Sequence, residues 1–177
     1  MTRRPVRVVV ASNVADFIAQ RAGQAAPRET GGLLLGWWED TSVVVRHAVE
    51  VPDPDATSNT WTRHEDAAQA TLDAALRDLG HPWLGYVGDW HSHPAILDAS
   101  PTDELSLRRA SSQYAKPLAL LVHQPGGRLD VRVAHNGHIR AARLGLPRPR
   151  SPATCAQPGE HDAPSPEWRP SQTGTGS

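Results

Sequence analysis

The sequence predicts an α/β domain, a mixed central β-sheet flanked by helices, followed by a disordered C-terminal tail. Strand-length runs of β-branched and aliphatic residues alternate with stretches of helical apolar spacing from about Val6 to Leu144. From Pro147 the text changes to "PRPRSPATCAQPGEHDAPSPEWRPSQTGTGS", rich in Pro, Ser, Gly and Thr. So few aliphatic side chains cannot offset the entropy of ordering such a segment. A chain of 177 residues is therefore expected to hold one domain, residues 1–146, and a tail, residues 147–177.

The elements follow in order. "VRVVVAS" is a β-branched strand, and "VADFIAQRAG" has helical spacing, with Asn13 as its expected N-cap and Gly23 near its end. "GGLLLGWW" and "SVVVRHAVEV" are two strands joined as a hairpin across Glu39-Asp40, and "DPDATSN" is a loop. Thr62 and Glu65 have capping-box spacing, and Ala68, Leu72, Ala75, Leu76 and Leu79 then mark one helical face up to Gly80. "WLGYVGDWHSH" is a strand, "TDELSLRRASSQYA" a helix and "LALLVH" a buried strand. "LDVRVAHNGHIRAARL" is a hairpin turning at Asn136-Gly137.

Composition narrows the function. The net charge is −1 and Lys and Arg form no dense patch, which disfavours nucleic acid as a partner. The apolar run after Arg7 is too short for a signal segment and no stretch is long enough to span a bilayer, so a cytoplasmic protein is expected. The single cysteine, Cys155, allows no intramolecular disulfide and falls in the tail, where it reads as an incidental thiol.

The chemistry concentrates in "WHSHPAILDASPTDELS", Trp90 to Ser106. On a strand, residues two apart share a face, so His91 and His93 present their imidazoles to one side. Pro94 ends the ladder, and the next residues let the chain return so that Asp103 can add an anionic oxygen. Two histidines and a carboxylate form the open ligand set of a catalytic Zn²⁺ site, with water in the fourth place. A competing reading needs no metal: Ser100 is a good N-cap, Pro101 suits the first helical position, and Asp103 can close a capping box. Helix initiation, however, does not explain why two histidines are aimed at one place.

These residues resemble the JAMM (MPN-positive, Prok-JAB) zinc metallopeptidase family. The likeness rests on Glu29 in "RETGGLLLG", His91 and His93 in "HSHP", and Ser100 and Asp103 in "SPTD", and it covers the chain from about Val6 to Leu144. It implies the family's JAB/MPN fold, of cytidine-deaminase-like architecture. It further implies one Zn²⁺ per chain, held by His91, His93 and Asp103 with a catalytic water. Glu29 would be the general base and Ser100 the donor to the oxyanion. Six residues separate His93 from Ser100, where many eukaryotic-type members have seven, so a tightened loop is expected.

The resemblance also implies the substrate: the peptide or isopeptide bond after the C-terminal Gly-Gly of a ubiquitin-like or sulfur-carrier protein, with an E1-like adenylating enzyme as a companion. An inactive scaffold of the same fold and a small-amide zinc hydrolase are the alternatives. A (β/α)₈ hydrolase needs a longer chain, and a zinc deaminase needs a Cys-x-x-Cys pair that is missing.

Around the motif, Asp89 and Asp98 are candidates for orienting the imidazoles, against plainer roles as a strand and a loop residue. Trp37, Trp38 and Trp61 could line a groove, with core or rim packing as the plainer role. His47, His64, His81, His123, His135, His138 and His161 show no partner at ligand spacing and are expected to be ordinary polar residues.

Overall fold

The computed structural model describes residues 5–145; the predicted tail, with Cys155 and His161, lies outside the described residues. The described residues form eight strands and three helices in the order β1 (Val6–Val10), α1 (Ser12–Ala25), β2 (Gly31–Glu39), β3 (Ser42–Glu50), α2 (Glu65–Leu79), β4 (Gly85–Ser92), α3 (Pro101–Ser111), β5 (Leu118–Gln124), β6 (Arg128–His135), β7 (His138–Arg140) and β8 (Ala142–Gly145). The strands form a single sheet in the order β7-β6-β5-β4-β2-β3-β1-β8. Parallel and antiparallel neighbours coexist, with β4 parallel to β5 and antiparallel to β2, so the expected mixed α/β class is found. No helix among the described residues is long and apolar enough to cross a membrane.

The strand periodicity divides the apolar side chains between two faces. One face packs Val8, Leu34, Val87, Trp90, Leu121 and Val133 with Val14 and Ile18 of α1. Trp90 is fully buried there, with Phe17 edge-on to its ring at 6.1 Å and its indole N–H donated to Val49 O. The other face packs Leu33, Leu120 and Val122 with Ala68 of α2 and Leu107 of α3. That second face carries the candidate site.

Several local expectations are corrected. The first helix begins at Ser12 with Ala11 as N-cap and no side-chain cap, so Asn13 lies inside it. The capping box from Thr62 to Glu65 does not form: α2 starts at Glu65 with His64 at the cap, and the Thr62 N–H is donated to Asp53 Oδ2 instead. Nearby tertiary acceptors have replaced local ones. The β2–β3 hairpin turns one residue later than expected, between Glu39 and Ser42, with Asp40 at φ 47°.

The Asn136-Gly137 turn is as predicted, both residues having positive φ as a two-residue type I′ hairpin requires. The chain beyond it was expected to be one strand and is two. Only Ala141 separates β7 on one edge of the sheet from β8, which pairs in parallel with β1 on the other. The sheet must therefore curl until its edges approach, wrapping around α1.

Gly88 combines a close strand contact with a backbone conformation that favours glycine. Its φ is +148°, and a Cβ there would lie 1.8 Å from Ala119 O of the adjoining strand. Gly88→Ala is expected to cost roughly 3 kcal/mol or more, because strain and backbone overlap act together; urea unfolding measures it. A loss under about 1 kcal/mol would contradict this account.

Candidate metal centre

The site is assembled where β4 ends. The β4 ladder brings His91 beside Gly31 of β2 and Val122 of β5, on the face that also carries α2 and α3. His93 lies just beyond the assigned strand, but its N–H is still donated to His123 O, so the extended path continues and both rings project together. Their centroids are 4.9 Å apart.

The expected return loop then delivers Asp103. Ser100 caps α3, its Oγ accepting the Asp103 N–H at 3.2 Å, while Asp103 Oδ2 accepts the Ser100 N–H at 2.6 Å. The capping reading is therefore true, yet it does not exhaust the carboxylate. Asp103 Oδ1 lies 3.5 Å from His91 Nε2, and Asp103 Oδ2 lies 3.6 Å from His93 Nε2. The two Nε2 atoms are 3.1 Å apart.

These spacings test the fit to a metal. A tetrahedral ion with bonds of about 2.0–2.1 Å has ligand atoms about 3.3–3.4 Å apart. The 3.1 Å between the two Nε2 atoms is close to that edge length, and Asp103 offers a different oxygen to each imidazole, at 3.5 and 3.6 Å. One ligand atom from each of His91, His93 and Asp103 lies within 4.8 Å of the others, a cluster that fits one small divalent ion. His93 Nδ1 faces Leu97 O at 2.8 Å, and because a carbonyl only accepts, Nδ1 carries the proton and Nε2 keeps its lone pair. The six-residue connection thus reaches both ends of the site.

Glu29 precedes β2 and is buried, its Oε1 3.9 Å from His93 Nε2. Burial pushes its carboxyl above the usual range, against the pull of His91 and His93. Burial would also raise Asp103, but bonding to His91 and the cap from Ser100 hold it well below the carboxylate range. The five residues singled out from the sequence, Glu29, His91, His93, Ser100 and Asp103, line one cleft of about 900 Å³.

Of Trp37, Trp38 and Trp61, Trp61 alone reaches that cleft. Its ring stacks on His91 with centroids 6.4 Å apart and planes 22° from parallel, and its indole N–H is donated to Val51 O. A side chain at Gly31 would meet that ring at 2.6 Å, so the glycine makes room for it. Trp38 donates to Pro117 O and packs against both cores, and Trp37 donates to Glu39, which fits the plainer packing role.

Neither flanking aspartate touches an imidazole. Asp89 accepts from Arg63 Nη1 and from the Tyr86 hydroxyl, and Asp98 accepts from Gln124. Arg63 also lines the cleft, and nothing local in the sequence pairs it with a residue 26 positions away. His64 corrects the expectation that no other histidine has a partner: its Nε2 lies 3.2 Å from Asp53 Oδ1, with Asp55 also near. Asp53 is already occupied by the N–H groups of Asp55 and Thr62, so this cluster pins the loop before α2.

Comparison with known proteins agrees with this geometry. Residues 11–134 match the family described as prokaryotic homologs of the JAB domain. Over 129 residues the chain is 28% identical to "Probable metalloprotease y4qB" of Sinorhizobium fredii (strain NBRC 101917 / NGR234), covering 70% of this chain and 78% of that protein. Its fold is similar to the solution structure of protein DSY2949 from Desulfitobacterium hafniense, with TM-score 0.56 and 18% identity over 79% of this chain and 94% of the other. The matched segment contains every residue of the cleft's ligand cluster together with Glu29 and Ser100, and the chain belongs to the family of prokaryotic JAB-domain homologs.

Proposed function

We propose that the protein is a zinc-dependent peptidase or isopeptidase that hydrolyses the bond after the C-terminal glycines of a ubiquitin-like or sulfur-carrier protein. The observation that carries the reading is the convergence of His91, His93 and Asp103 on one point, with a buried carboxylate, Glu29, beside them. Family membership and the relative named as a metalloprotease support the reaction type. The cleft, lined by Ser58 to Arg63 as well as by Pro94, Ala95 and Leu97, suits an extended chain end. An E1-like adenylating enzyme is the expected companion.

Zn²⁺, which His91, His93 and Asp103 would hold, would lower the pKa of water towards 7 and so supply a nucleophile near neutral pH. Glu29, within reach of that position and made more basic by burial, takes the water's proton and returns it to the leaving amine. Ser100 Oγ accepts the Asp103 N–H with a lone pair, which leaves its own proton free to donate to the developing oxyanion. Capping and catalysis thus use different atoms of one hydroxyl group. Trp61, stacked on His91, keeps that ring in place and shields it from water.

The test uses purified full-length protein loaded with zinc and reporter fusions of a ubiquitin-like protein ending in Gly-Gly, linked through a peptide or a Lys isopeptide bond. Mass spectrometry should place cleavage after the second glycine, a chelator should abolish it, and added zinc should restore it. Hydrolysis of small acyl amides alone would replace the substrate assignment. A folded protein that binds no zinc would point to a scaffold and overturn the proposal.

A further inference from the structure

The return loop between His93 and Ser100 is held by the far end of β5, through a residue that the mechanism above does not use. Gln124 is the last residue of β5 and is fully buried. Its Nε2 donates to Leu97 O at 3.0 Å and to Asp98 Oδ1 at 2.9 Å. Both amide protons therefore have acceptors, and turning the amide over would set its oxygen against two other oxygens. Leu97 O is also the acceptor for His93 Nδ1. The two lone pairs of one carbonyl thus join a buried glutamine to a candidate metal ligand.

We infer that Gln124 is a positioning residue for the metal centre, fixing the Leu97 carbonyl so that it orients the His93 ring and keeps its proton on Nδ1. This rests on the assignment of His93 as a metal ligand and goes beyond it, since Gln124 lies outside the cleft lining and 31 residues from His93 in sequence.

The placement is costly, which argues that it serves more than filling space. Among the described residues Gln124 Oε1 has no hydrogen-bond partner although it is buried. An apolar side chain would avoid that cost. It would also release the loop, because Leu97 is largely exposed and its side chain anchors little. Arg128 and Asp130 hold the same loop from the neighbouring strand, at Asp98 and at the Ala99 N–H, but neither reaches the Leu97 carbonyl.

The decisive variant is Gln124→Met, which fills similar volume without an amide. Zinc affinity, measured by competition with a chromogenic chelator, is expected to fall roughly 10- to 100-fold, the range typical for loss of an outer-shell partner. Long-range ¹⁵N–¹H NMR of the metal-free protein should show the His93 proton on Nδ1 in the wild type and redistributed to Nε2 in the variant. A merely structural role would lower the melting temperature and leave both readouts unchanged, and that result overturns the inference. Should the variant fail to fold, the wild type still decides. His93 protonated on Nε2, or Gln124 side-chain amide signals that do not shift when zinc is added, would overturn it equally. Absence of peptidase activity with these readouts intact would count against the proposed function and leave Gln124 in its role.

Discussion

Glu29→Gln is expected to leave one zinc per chain and to lower cleavage of a Gly-Gly fusion by roughly 10²- to 10⁴-fold, the usual contribution of a general base. The substitution keeps the volume of the side chain and its place before β2, where the Glu29 N–H is donated to Thr57 O. It removes only the ability to take a proton. Glu29 is not one of the three clustered ligand residues, so metal content measured by atomic emission should be unchanged. Cleavage retained within tenfold would exclude Glu29 as the base; zinc lost with cleavage would mean that it helps to hold the ion.

Asp103→Asn separates the two roles of a single carboxylate. The amide oxygen of Asn can still accept the Ser100 N–H, so α3 should start where it does now and the metal-free protein should melt within a few degrees of the wild type. The anionic ligand is lost, and zinc affinity is expected to fall by at least about 100-fold, beyond the outer-shell range. Ligand binding stabilises a fold by RT ln(1 + [L]/Kd), which is about 4 kcal/mol at 1,000 Kd, so added zinc should raise the wild-type melting temperature clearly and the variant's little. Equal zinc-induced shifts in the two proteins would place Asp103 outside the metal centre. A large loss in the metal-free variant would show instead that its main role is at the helix start.

Much of the site could be read from the residues because its parts are local. His91 and His93 are two apart on an extended path, and Ser100, Pro101 and Asp103 start a helix by rules that need no distant partner. A carboxylate has two oxygens and a hydroxyl has both a lone pair and a proton, so the capping and metal readings never excluded each other. Glu29 was legible in another way. Taken alone it is an ordinary carboxylate before a strand, and only the family resemblance, which sets it in order with the histidines and Asp103, singled it out.

What escaped the sequence is long-range. Asn13 and Thr62 are good capping residues locally, yet in the fold the helix beginning at Ser12 is placed by β1, and the Thr62 N–H finds Asp53. Trp61 reaches His91 because β2 pairs with β4 and Gly31 leaves space between them. Arg63 meets Asp89, and Gln124 meets Leu97, through strand neighbours fixed by sheet order. The parallel pairing of β8 with β1 joins nearly opposite ends of the described chain.

The type of most elements, the two-sided apolar pattern and the grouping of His91, His93, Ser100 and Asp103 were thus written in short-range chemistry, where spacing along the chain sets which groups share a face. Strand order, the curl of the sheet and the side chains that steady the imidazoles arise from contacts across the fold. Such contacts depend on which apolar faces bury one another, and a linear pattern of apolar residues names the faces without naming their partners.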